Sequence, residues 1–120
     1  MDVLRMKETC NRVIDYLSSS RAYCRQDLSL AALARETAIP QKVLSRSING
    51  YLKRNFFDLI NEMRIEEAKR RLLELEISGF TIDSVYAECG FRTRSTFFLA
   101  FKKLEGKSPA QWLASTDRIP

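Results

Sequence analysis

Apolar residues recur three and four positions apart along almost the whole chain, and this spacing is typical of helices that bury one face. No stretch alternates apolar and polar residues between turn signals as a β-strand would. The pattern therefore predicts an all-α fold. We predict seven helices. Four of them span about residues 3–19, 56–77, 82–89 and 93–104, and the other three begin at about residues 30, 41 and 109.

The predicted helix boundaries rest on local capping signals. Ser29 is placed as an N-cap, Pro40 stands at the start of the third helix, and Asn55 precedes the long fourth helix. Ser78-Gly79 is expected to end that helix, because glycine readily adopts a left-handed conformation at a helix C-terminus. Ser108-Pro109-Ala110-Gln111 has the spacing of a capping box. The fourth helix would be a strut of roughly 30 Å, at about 1.5 Å per residue.

The inward side of each helix gives a candidate core, since residues three and four apart share one side. We predict that the following residues face inward: Leu4, Val13, Ile14, Leu17, Leu30, Leu33, Ala34, Thr37, Val43, Leu44, Ile48, Leu52, Ile82, Val85, Tyr86, Cys89, Phe97, Ala100, Phe101, Leu104.

Two segments of the chain repeat each other. Leu30-x-x-Leu33-Ala34-x-x-x-Ala38-Ile39 matches Ile82-x-x-Val85-Tyr86-x-x-x-Gly90-Phe91 at an offset of 52 residues, and Leu44-x-x-x-Ile48 matches Phe97-x-x-x-Phe101 at an offset of 53. Each copy predicts a short helix, a tight turn and a second helix rich in basic residues. This is the layout of a helix-turn-helix, whose second helix enters the major groove of DNA.

The distribution of charge supports this interpretation. The net charge is +5. Residues 40–55 carry four cations and no acid, a charge of +4, and residues 91–107 carry five cations and one acid, again +4. The remainder of the chain sums to −3. Two basic segments in an otherwise slightly acidic chain indicate two contacts with a polyanion.

Composition argues against other classes of function. The chain has no histidine, the commonest general base and zinc ligand, and its three scattered cysteines form neither a disulfide framework nor a CxxC site. We expect no enzyme activity, no metal and no cofactor, and we interpret the cysteines as buried reduced thiols rather than a redox sensor. Because no run of 18 apolar residues is present and the N-terminus is too charged for a signal peptide, we expect a cytoplasmic protein without a membrane segment.

Three stretches carry a family resemblance. The long helix contains Asp58-Leu59-Ile60-Asn61-x-x-Arg64-Ile65-Glu66-x-Ala68-Lys69-x-x-Leu72-Leu73, and the second turn contains Glu88-Cys89-Gly90-Phe91. The last part contains Phe97-x-x-x-Phe101-Lys102-Lys103 and Gly106-x-Ser108-Pro109-x-x-Trp112. With these stretches the chain resembles the DNA-binding domain of the AraC/XylS family of bacterial transcription regulators, over about residues 10–113. Two helix-turn-helix copies at this spacing are a more specific signal than either copy alone.

Together with the helix pattern, the resemblance implies two homeodomain-like helix-turn-helix subdomains, 1–55 and 79–120, joined by a linker helix over 56–78. It implies that the two recognition helices enter successive major-groove turns on one face of double-stranded DNA. It also implies a transcription regulator, more specifically an activator that contacts RNA polymerase. On this interpretation the segment is a monomer and is associated with the bacterial nucleoid while bound.

The chain departs from the family pattern at several positions. Tyr86 stands where the family usually has alanine, Ala38 where the first turn usually has glycine, and Lys53 where glycine is common. In the second recognition helix Leu99 occupies a position that is often arginine, and Phe98 one that is usually small and polar. These departures concern the preferred DNA sequence rather than the fold.

Residues on the outer sides of the two recognition helices are candidates for contact with bases, and the alternative for any one of them is a solvated polar surface. Arginine can bond guanine, and Gln or Asn can bond adenine, in the major groove. The candidates in the first helix are Gln41, Lys42, Ser45, Arg46 and Asn49, with Arg46 foremost. Those in the second are Arg92, Arg94, Ser95, Phe98 and Leu99.

Phe98 and Leu99 admit three interpretations, because both lie beside the inward stripe of the sixth helix. In the first interpretation, both side chains contact thymine methyl groups in the major groove, beside Arg94. Alternatively, a neighbouring helix such as the last one covers one of them. In the third interpretation they form a docking patch for a protein partner.

A further set of residues is placed to contact phosphates, which position a protein on DNA without reading its sequence. Helix N-termini would contribute backbone N–H groups. The candidates are Lys53, Arg54, Lys102, Lys103, Lys107 and, at helix starts, Ser29 and Thr81. The charged residues of the long helix fit a solvated surface with i, i+4 pairs: Glu66, Glu67, Lys69, Arg70, Arg71, Glu74.

A rival hypothesis assigns the same fold to another class of function, protein interaction rather than DNA binding. A helical protein-interaction module would use Phe98 and Leu99 as its docking patch, with weak or lost DNA binding. Two interpretations of the chain's extent are also open. It is either a small stand-alone regulator or the C-terminal domain of a longer protein whose effector sensing and dimerisation lie elsewhere.

Overall fold

The computed structural model describes residues 2–75 and 81–116, and every regular element in these ranges is helical. Seven α-helices lie within them, which confirms the predicted all-α class. Their bounds are α1 Val3–Ser20, α2 Leu30–Thr37, α3 Gln41–Ser47, α4 Phe56–Leu73, α5 Ile82–Glu88, α6 Arg94–Glu105 and α7 Pro109–Ser115. A short 3₁₀ turn, Ala22–Cys24, follows α1, and a π-helical segment, Ile48–Leu52, follows α3. No helix in the described ranges combines the length and apolar content that a membrane crossing needs.

The predicted caps are present at most helix starts. Ser29 Oγ accepts a hydrogen bond from the amide of Ala32 at 3.0 Å, and Asn55 Oδ1 accepts one from the amide of Asp58 at 2.8 Å. Ser108 forms the predicted capping box at the start of α7. Thr93 caps α6 in the same way as Ser29 caps α2. These side chains satisfy amides that have no partner inside their helices.

The fourth helix ends earlier than the sequence pattern predicts. Its last residue is Leu73, and the amide of Glu74 bonds to the carbonyl of Arg71 at 3.1 Å. A bond that spans three residues tightens the chain, as is common at a helix end. The pattern predicts a helix through Ile77 and an end at Ser78-Gly79, positions that lie outside the described residues.

The chain divides into two compact units, Met1–Ile60 and Asn61–Pro120, so α4 begins in the first unit and continues in the second. In the second unit α4 supplies Ile65, Ala68 and Leu72 to the buried core. This part of α4 is therefore packed within its unit. The division into 1–55, a linker over 56–78, and 79–120 stays a prediction.

The first unit has a largely aliphatic interior. α1 packs against α3 and the π-helical segment, and α2 packs against α3. The side chains with no exposed surface in this interior include Val13, Leu17, Leu33, Leu44 and Ile48. Burying each such side chain contributes about 1.5–3 kcal/mol, so these contacts fix the position of α3 on the unit.

The second unit has an aromatic interior built around Phe97. Its ring centroid lies 5.4 Å from that of Phe91, 5.8 Å from that of Phe101 and 6.4 Å from that of Tyr86. Phe101 in turn contacts Trp112 of α7 at 5.9 Å. Edge and tilted ring contacts add to the free energy of burial, so α6 is held between α5 and α7.

Most of the predicted inward residues are buried or half-buried, but Leu4 and Leu104 are not. Leu4 is 65% exposed and Leu104 is 39% exposed. Both lie in a terminal turn: the buried residues of α1 begin at Thr9, and those of α6 end at Phe101. Helical spacing continues past the point where a neighbouring element covers the helix, so the prediction was wrong at these two positions.

The two predicted turns repeat each other in their backbone bonds. The amides of Ile39 and Phe91 each bond to the carbonyl five residues earlier, both at 3.1 Å. The preceding residue is left-handed in each copy, with φ of 57° at Ala38 and 106° at Gly90. This combination ends one helix and redirects the chain into the next.

Candidate nucleic-acid interface

The third helix buries its apolar side and exposes polar residues. Leu44 and Ser47 are buried, whereas Gln41, Lys42 and Arg46 are exposed. Within the described part of the chain, Arg46 has no hydrogen-bond or ion-pair partner. The guanidinium of Arg46 is thus available to an external acceptor.

Ser45 and Asn49, the other two candidates in this half, bond to each other. Asn49 Nδ2 donates to the Ser45 carbonyl at 2.8 Å and lies 3.3 Å from Ser45 Oγ. Bidentate reading of adenine needs both the amide nitrogen and the amide oxygen of an asparagine. One donor of Asn49 is therefore already committed to its own helix.

Lys53 and Arg54 follow the π-helical segment. Lys53 is left-handed with φ of 58°, and Arg54 Nη1 donates to the Leu52 carbonyl at 2.9 Å. The π-helical segment approaches α1 closely at Gly50: a Cβ added there would lie 2.7 Å from Met6 Sδ. The close approach fixes the segment against α1 and with it the place where the two cations leave the helix.

The sixth helix presents a mixed surface. Arg92 and Ser95 are exposed near its start, and Leu99 is 71% exposed. Phe98 is half-buried: it packs against the core of the second unit, with its ring edge-on to Phe97 at a centroid distance of 5.5 Å. The two apolar residues beside the inward stripe thus differ, since Phe98 is partly covered and Leu99 is not.

Arg94, at the start of α6, contacts two other side chains. Its Nε donates to Asp83 Oδ1 of α5 at 2.7 Å, and its guanidinium carbon lies 4.1 Å from the centroid of the Phe98 ring. The sequence predicted Arg94 and Phe98 as site residues but missed Asp83. An acid in the first helix of a helix-turn-helix copy, facing a basic residue at the start of the second, is the signal that would have indicated it.

The remaining predicted phosphate contacts lie at helix ends. Lys102 and Lys103 are exposed in the last turn of α6, and Lys107 Nζ donates to Ser115 Oγ at 3.4 Å. Ser29 and Thr81 occupy the N-cap positions of α2 and α5 and are exposed. The Thr81 side chain makes no capping bond, unlike that of Ser29.

A buried carboxylate joins α4 to α5 in the second unit. Glu67 is only 6% exposed, which corrects the expectation that it lies on a solvated surface. Its carboxylate accepts bonds from Arg70 at 2.6 Å and from Arg71 at 2.8 Å, and Arg71 also pairs with Glu88 of α5. The hydrogen bonds and charge of Glu67 raise the pKa of Arg70. Two guanidinium partners make the burial of this carboxylate possible.

A second carboxylate, Glu36 of α2, is held in the first unit. Both of its oxygens accept bonds from Arg25, at 3.0 and 2.6 Å, and it also accepts one from the Tyr16 hydroxyl. The bonds from Arg25 and then Tyr16 lower the pKa of Glu36, and the bond to Glu36 raises the pKa of Tyr16. This network ties α2 to α1 and to the 3₁₀ turn.

The cysteines and acids do not form a reactive or metal-binding centre in the described ranges. No three Cys, Asp or Glu side chains there are grouped in a way that could hold a metal ion. The three cysteines form no disulfide with one another, and Cys10 and Cys89 are buried. Burial raises the pKa of the Cys10 thiol, which donates to the Ser47 carbonyl at 3.2 Å. A raised pKa lowers the thiolate fraction and hence the reactivity.

Comparison with known proteins agrees with this geometry. A family model described as a helix-turn-helix domain matches residues 33–115, from within α2 to the end of α7. No curated protein gives a significant match.

Solved structures share the fold. The C-terminal domain of AraT, a response regulator from Geobacillus stearothermophilus, is 29% identical, with a TM-score of 0.78 over 90% of this chain and 85% of that one. A DNA-binding transcriptional dual regulator from Escherichia coli K-12 is 22% identical over 86% of each chain, with a TM-score of 0.71. A protein of unknown function from Listeria innocua is 20% identical over 90% of this chain and 97% of that one, with a TM-score of 0.76. At these identities the last two show the fold alone.

Proposed function

The chain belongs to the AraC-type helix-turn-helix family of DNA-binding transcription regulators, and we propose that it recognises a specific double-stranded sequence by inserting α3 and α6 into successive turns of the major groove. The AraT domain supports this proposal, since it is part of a response regulator and is 29% identical to this chain. The protein would act in the cytoplasm, on the nucleoid. We further propose that it acts as an activator, as a monomer that contacts RNA polymerase.

The observation that carries the proposal is the two-sided character of the two helices that follow the turns. Each buries its apolar stripe, at Leu44 in α3 and at Phe97 and Phe101 in α6, and exposes basic residues on another side. An exposed basic helix next to a rigid turn is the arrangement that major-groove readers use. The same layout in both units favours two separate contacts with one duplex.

The roles of individual residues follow from their donors. Arg46 has its guanidinium available and would bond O6 and N7 of a guanine, and Gln41 would read adenine. Arg92 and Ser95 would contact the duplex in the second half, beside Arg94. The phosphate contacts would come from Lys102 and Lys103 in the last turn of α6 and from three cations that follow the helical segments, Lys53, Arg54 and Lys107.

The proposal is tested by measuring affinity for random duplex DNA at several salt concentrations. The two basic segments offer nine cations, so log K should fall with log salt at a slope of roughly −5 to −8, given about −0.9 per phosphate contact. Lys103→Ala should reduce the steepness by about one and weaken all sequences alike. Lys7→Ala removes an exposed cation from α1, outside both basic segments, and should leave the slope unchanged. A flat salt response of the unaltered protein would rule out DNA binding.

One observation favours a second candidate function. Leu99 is a large apolar residue that is 71% exposed on a helix surface, and such residues occur at protein-docking sites. A protein-interaction module of the same fold would use this surface and bind DNA weakly or not at all. Two results together would support this alternative: an affinity for DNA that does not change with salt, and a stable complex with a protein partner that Leu99→Asp abolishes.

A further inference from the structure

The contact of Arg94 with Asp83 and Phe98 suggests how the second half discriminates between bases. We propose that Asp83 is a positioning residue for DNA recognition: with Phe98 it holds Arg94 in the orientation that reads a guanine. The inference rests on the proposed function and adds to it the residue that sets specificity in α6 and the base that α6 selects.

The hydrogen bond to Asp83 decides which edge of the guanidinium is left for DNA. An arginine has five N–H donors, one on Nε and two on each terminal nitrogen. The Nε donor of Arg94 is used by Asp83 Oδ1 at 2.7 Å. The two terminal nitrogens remain, and their parallel N–H groups match the adjacent O6 and N7 acceptors of guanine.

Phe98 supplies a platform under the same guanidinium. The distance of 4.1 Å from the Arg94 guanidinium carbon to the ring centroid is well inside the range of a cation–π contact. The ring is itself fixed, because it packs edge-on against the fully buried Phe97. Phe98 therefore acts through Arg94, and the half-site should show guanine rather than a thymine read by an aromatic ring.

The fold does not require this arrangement. In the first helix-turn-helix copy, the positions that correspond to Asp83, Arg94 and Phe98 carry Ala31, Gln41 and Ser45, at the offsets of 52 and 53 residues that align the two copies. That copy forms the same turn with the same backbone bonds. The side chains of Asp83 and Arg94 are each 60% exposed, and an ion pair so exposed contributes little to folding stability.

The sign of the charge gives the proposal a distinctive consequence. An acid beside a DNA-binding helix repels phosphates, so Asp83 should weaken binding to random DNA. A guanidinium that is already oriented loses less conformational freedom when it meets its base, so Asp83 should strengthen binding to the preferred sequence. Removing the charge should therefore change the two affinities in opposite directions.

The test uses Asp83→Asn, with affinities measured for random duplex and for a preferred duplex obtained by selection from a random library. We expect random binding to become up to a few-fold tighter and binding to the preferred duplex to become weaker, so that the ratio of preferred to random affinity falls about tenfold. Phe98→Leu should lower the ratio as well, since it keeps an apolar side chain against the core but removes the ring face. Asp15→Asn, at an exposed position of α1, controls for the loss of one negative charge.

The outcomes separate this inference from the proposed function. An Asp83→Asn ratio that is unchanged or raised, in a protein whose random binding shows the expected salt dependence, overturns the positioning role and leaves DNA binding intact. A preferred half-site without guanine, or one whose guanine survives Arg94→Ala, overturns it as well. A flat salt response of the unaltered protein overturns both. Circular dichroism of each variant confirms that the helical content is kept.

Discussion

The two helix-turn-helix copies share a backbone frame and differ in what they expose. Aligned at an offset of 53 residues, Arg46 of α3 corresponds to Leu99 of α6, and Gln41 corresponds to Arg94. The first copy has its arginine in the last turn of α3, without a partner among the described residues. The second has its arginine at the first helical position, bonded to an acid and stacked on a ring. The same frame therefore supports two ways of presenting a guanidinium.

The interiors of the two units explain how this divergence is tolerated. Leu44 and Ile48 hold α3 in an aliphatic core, and Phe97 and Phe101 hold α6 in an aromatic one, at corresponding positions with no exposed surface. The turn bonds are made by main-chain groups and do not depend on the outward side chains. Outward residues can therefore change the reading surface without moving the helix that carries it.

The largest effect that tests this comparison is expected in the cores. Phe97→Ala should lower the free energy of unfolding by about 3–5 kcal/mol, and Leu44→Ala, the matched change in the first unit, by about 2–5 kcal/mol. Trp112 is the one tryptophan of the chain and contacts Phe101, so its fluorescence reports on the second unit. In urea unfolding, Phe97→Ala should shift the Trp112 transition. An unchanged transition would contradict the packing described for α6.

The next effect compares the two corresponding outward positions. Arg46→Ala should weaken binding to the preferred duplex by about 1–3 kcal/mol and relax the choice of one base. Leu99→Ala, at the matched position, should weaken it by less than about 1 kcal/mol, because Leu99 has no group that bonds a base edge. Fluorescence anisotropy with preferred and random duplexes measures both. Equal losses for the two variants would show that the halves do not differ as proposed.

A smaller effect compares the two turns. Gly90→Ala should lower the free energy of unfolding by about 1–2 kcal/mol, since an alanine at φ of 106° is strained. Ala38→Gly should raise it by up to about 1 kcal/mol, because relief of strain at φ of 57° exceeds the added freedom of the unfolded chain. Thermal unfolding of the two variants gives opposite shifts if both turns need a left-handed residue. Shifts of the same sign would refute that requirement.

The smallest effect is a pH dependence that belongs to the first unit. Hydrogen bonds from Arg25 and then from Tyr16 hold the pKa of Glu36 below its usual value of 4.5. The ionised Glu36 carboxylate therefore stabilises the folded state above pH 4.5, and this contribution is lost as the pH falls through the pKa of Glu36 in the folded state. Glu36→Gln should therefore destabilise the protein at pH 6 and match the unaltered protein more closely at pH 3. Urea unfolding at both values measures the difference. A gap between the two proteins that does not narrow at low pH would exclude this role of Glu36.

The features that the sequence could predict are those set by nearby residues. Caps such as Ser29, Asn55 and Ser108 bond to amides three residues away. Both turns could be predicted because the repeated pattern of residues is visible in the sequence itself. The seven helices and the exposed cations follow from the same short-range pattern.

The features that the sequence could not predict depend on where helices meet. Asp83 bonds to Arg94 only because α5 lies against α6. Arg70 and Arg71 stand at the i, i+3 and i, i+4 spacing from Glu67 that the sequence shows, but the burial of the Glu67 carboxylate does not follow from that spacing. Leu4 and Leu104 have the spacing of core residues but lie beyond the end of the surface that covers their helices. Each of these outcomes depends on whether another element packs beside the residue, and periodicity along one helix does not record this.

Selection of bound duplexes from a random library, with the unaltered protein and with Arg46→Ala and Arg94→Ala, shows whether α3 and α6 each read bases. We expect two enriched blocks of sequence about 10 bp apart, the spacing of successive major-groove turns. Each block should contain a guanine, and the preference for one guanine should be lost in Arg46→Ala and the preference for the other in Arg94→Ala. Absence of enrichment, or a single block that neither substitution changes, would contradict the claim that both halves read DNA through a differently held arginine.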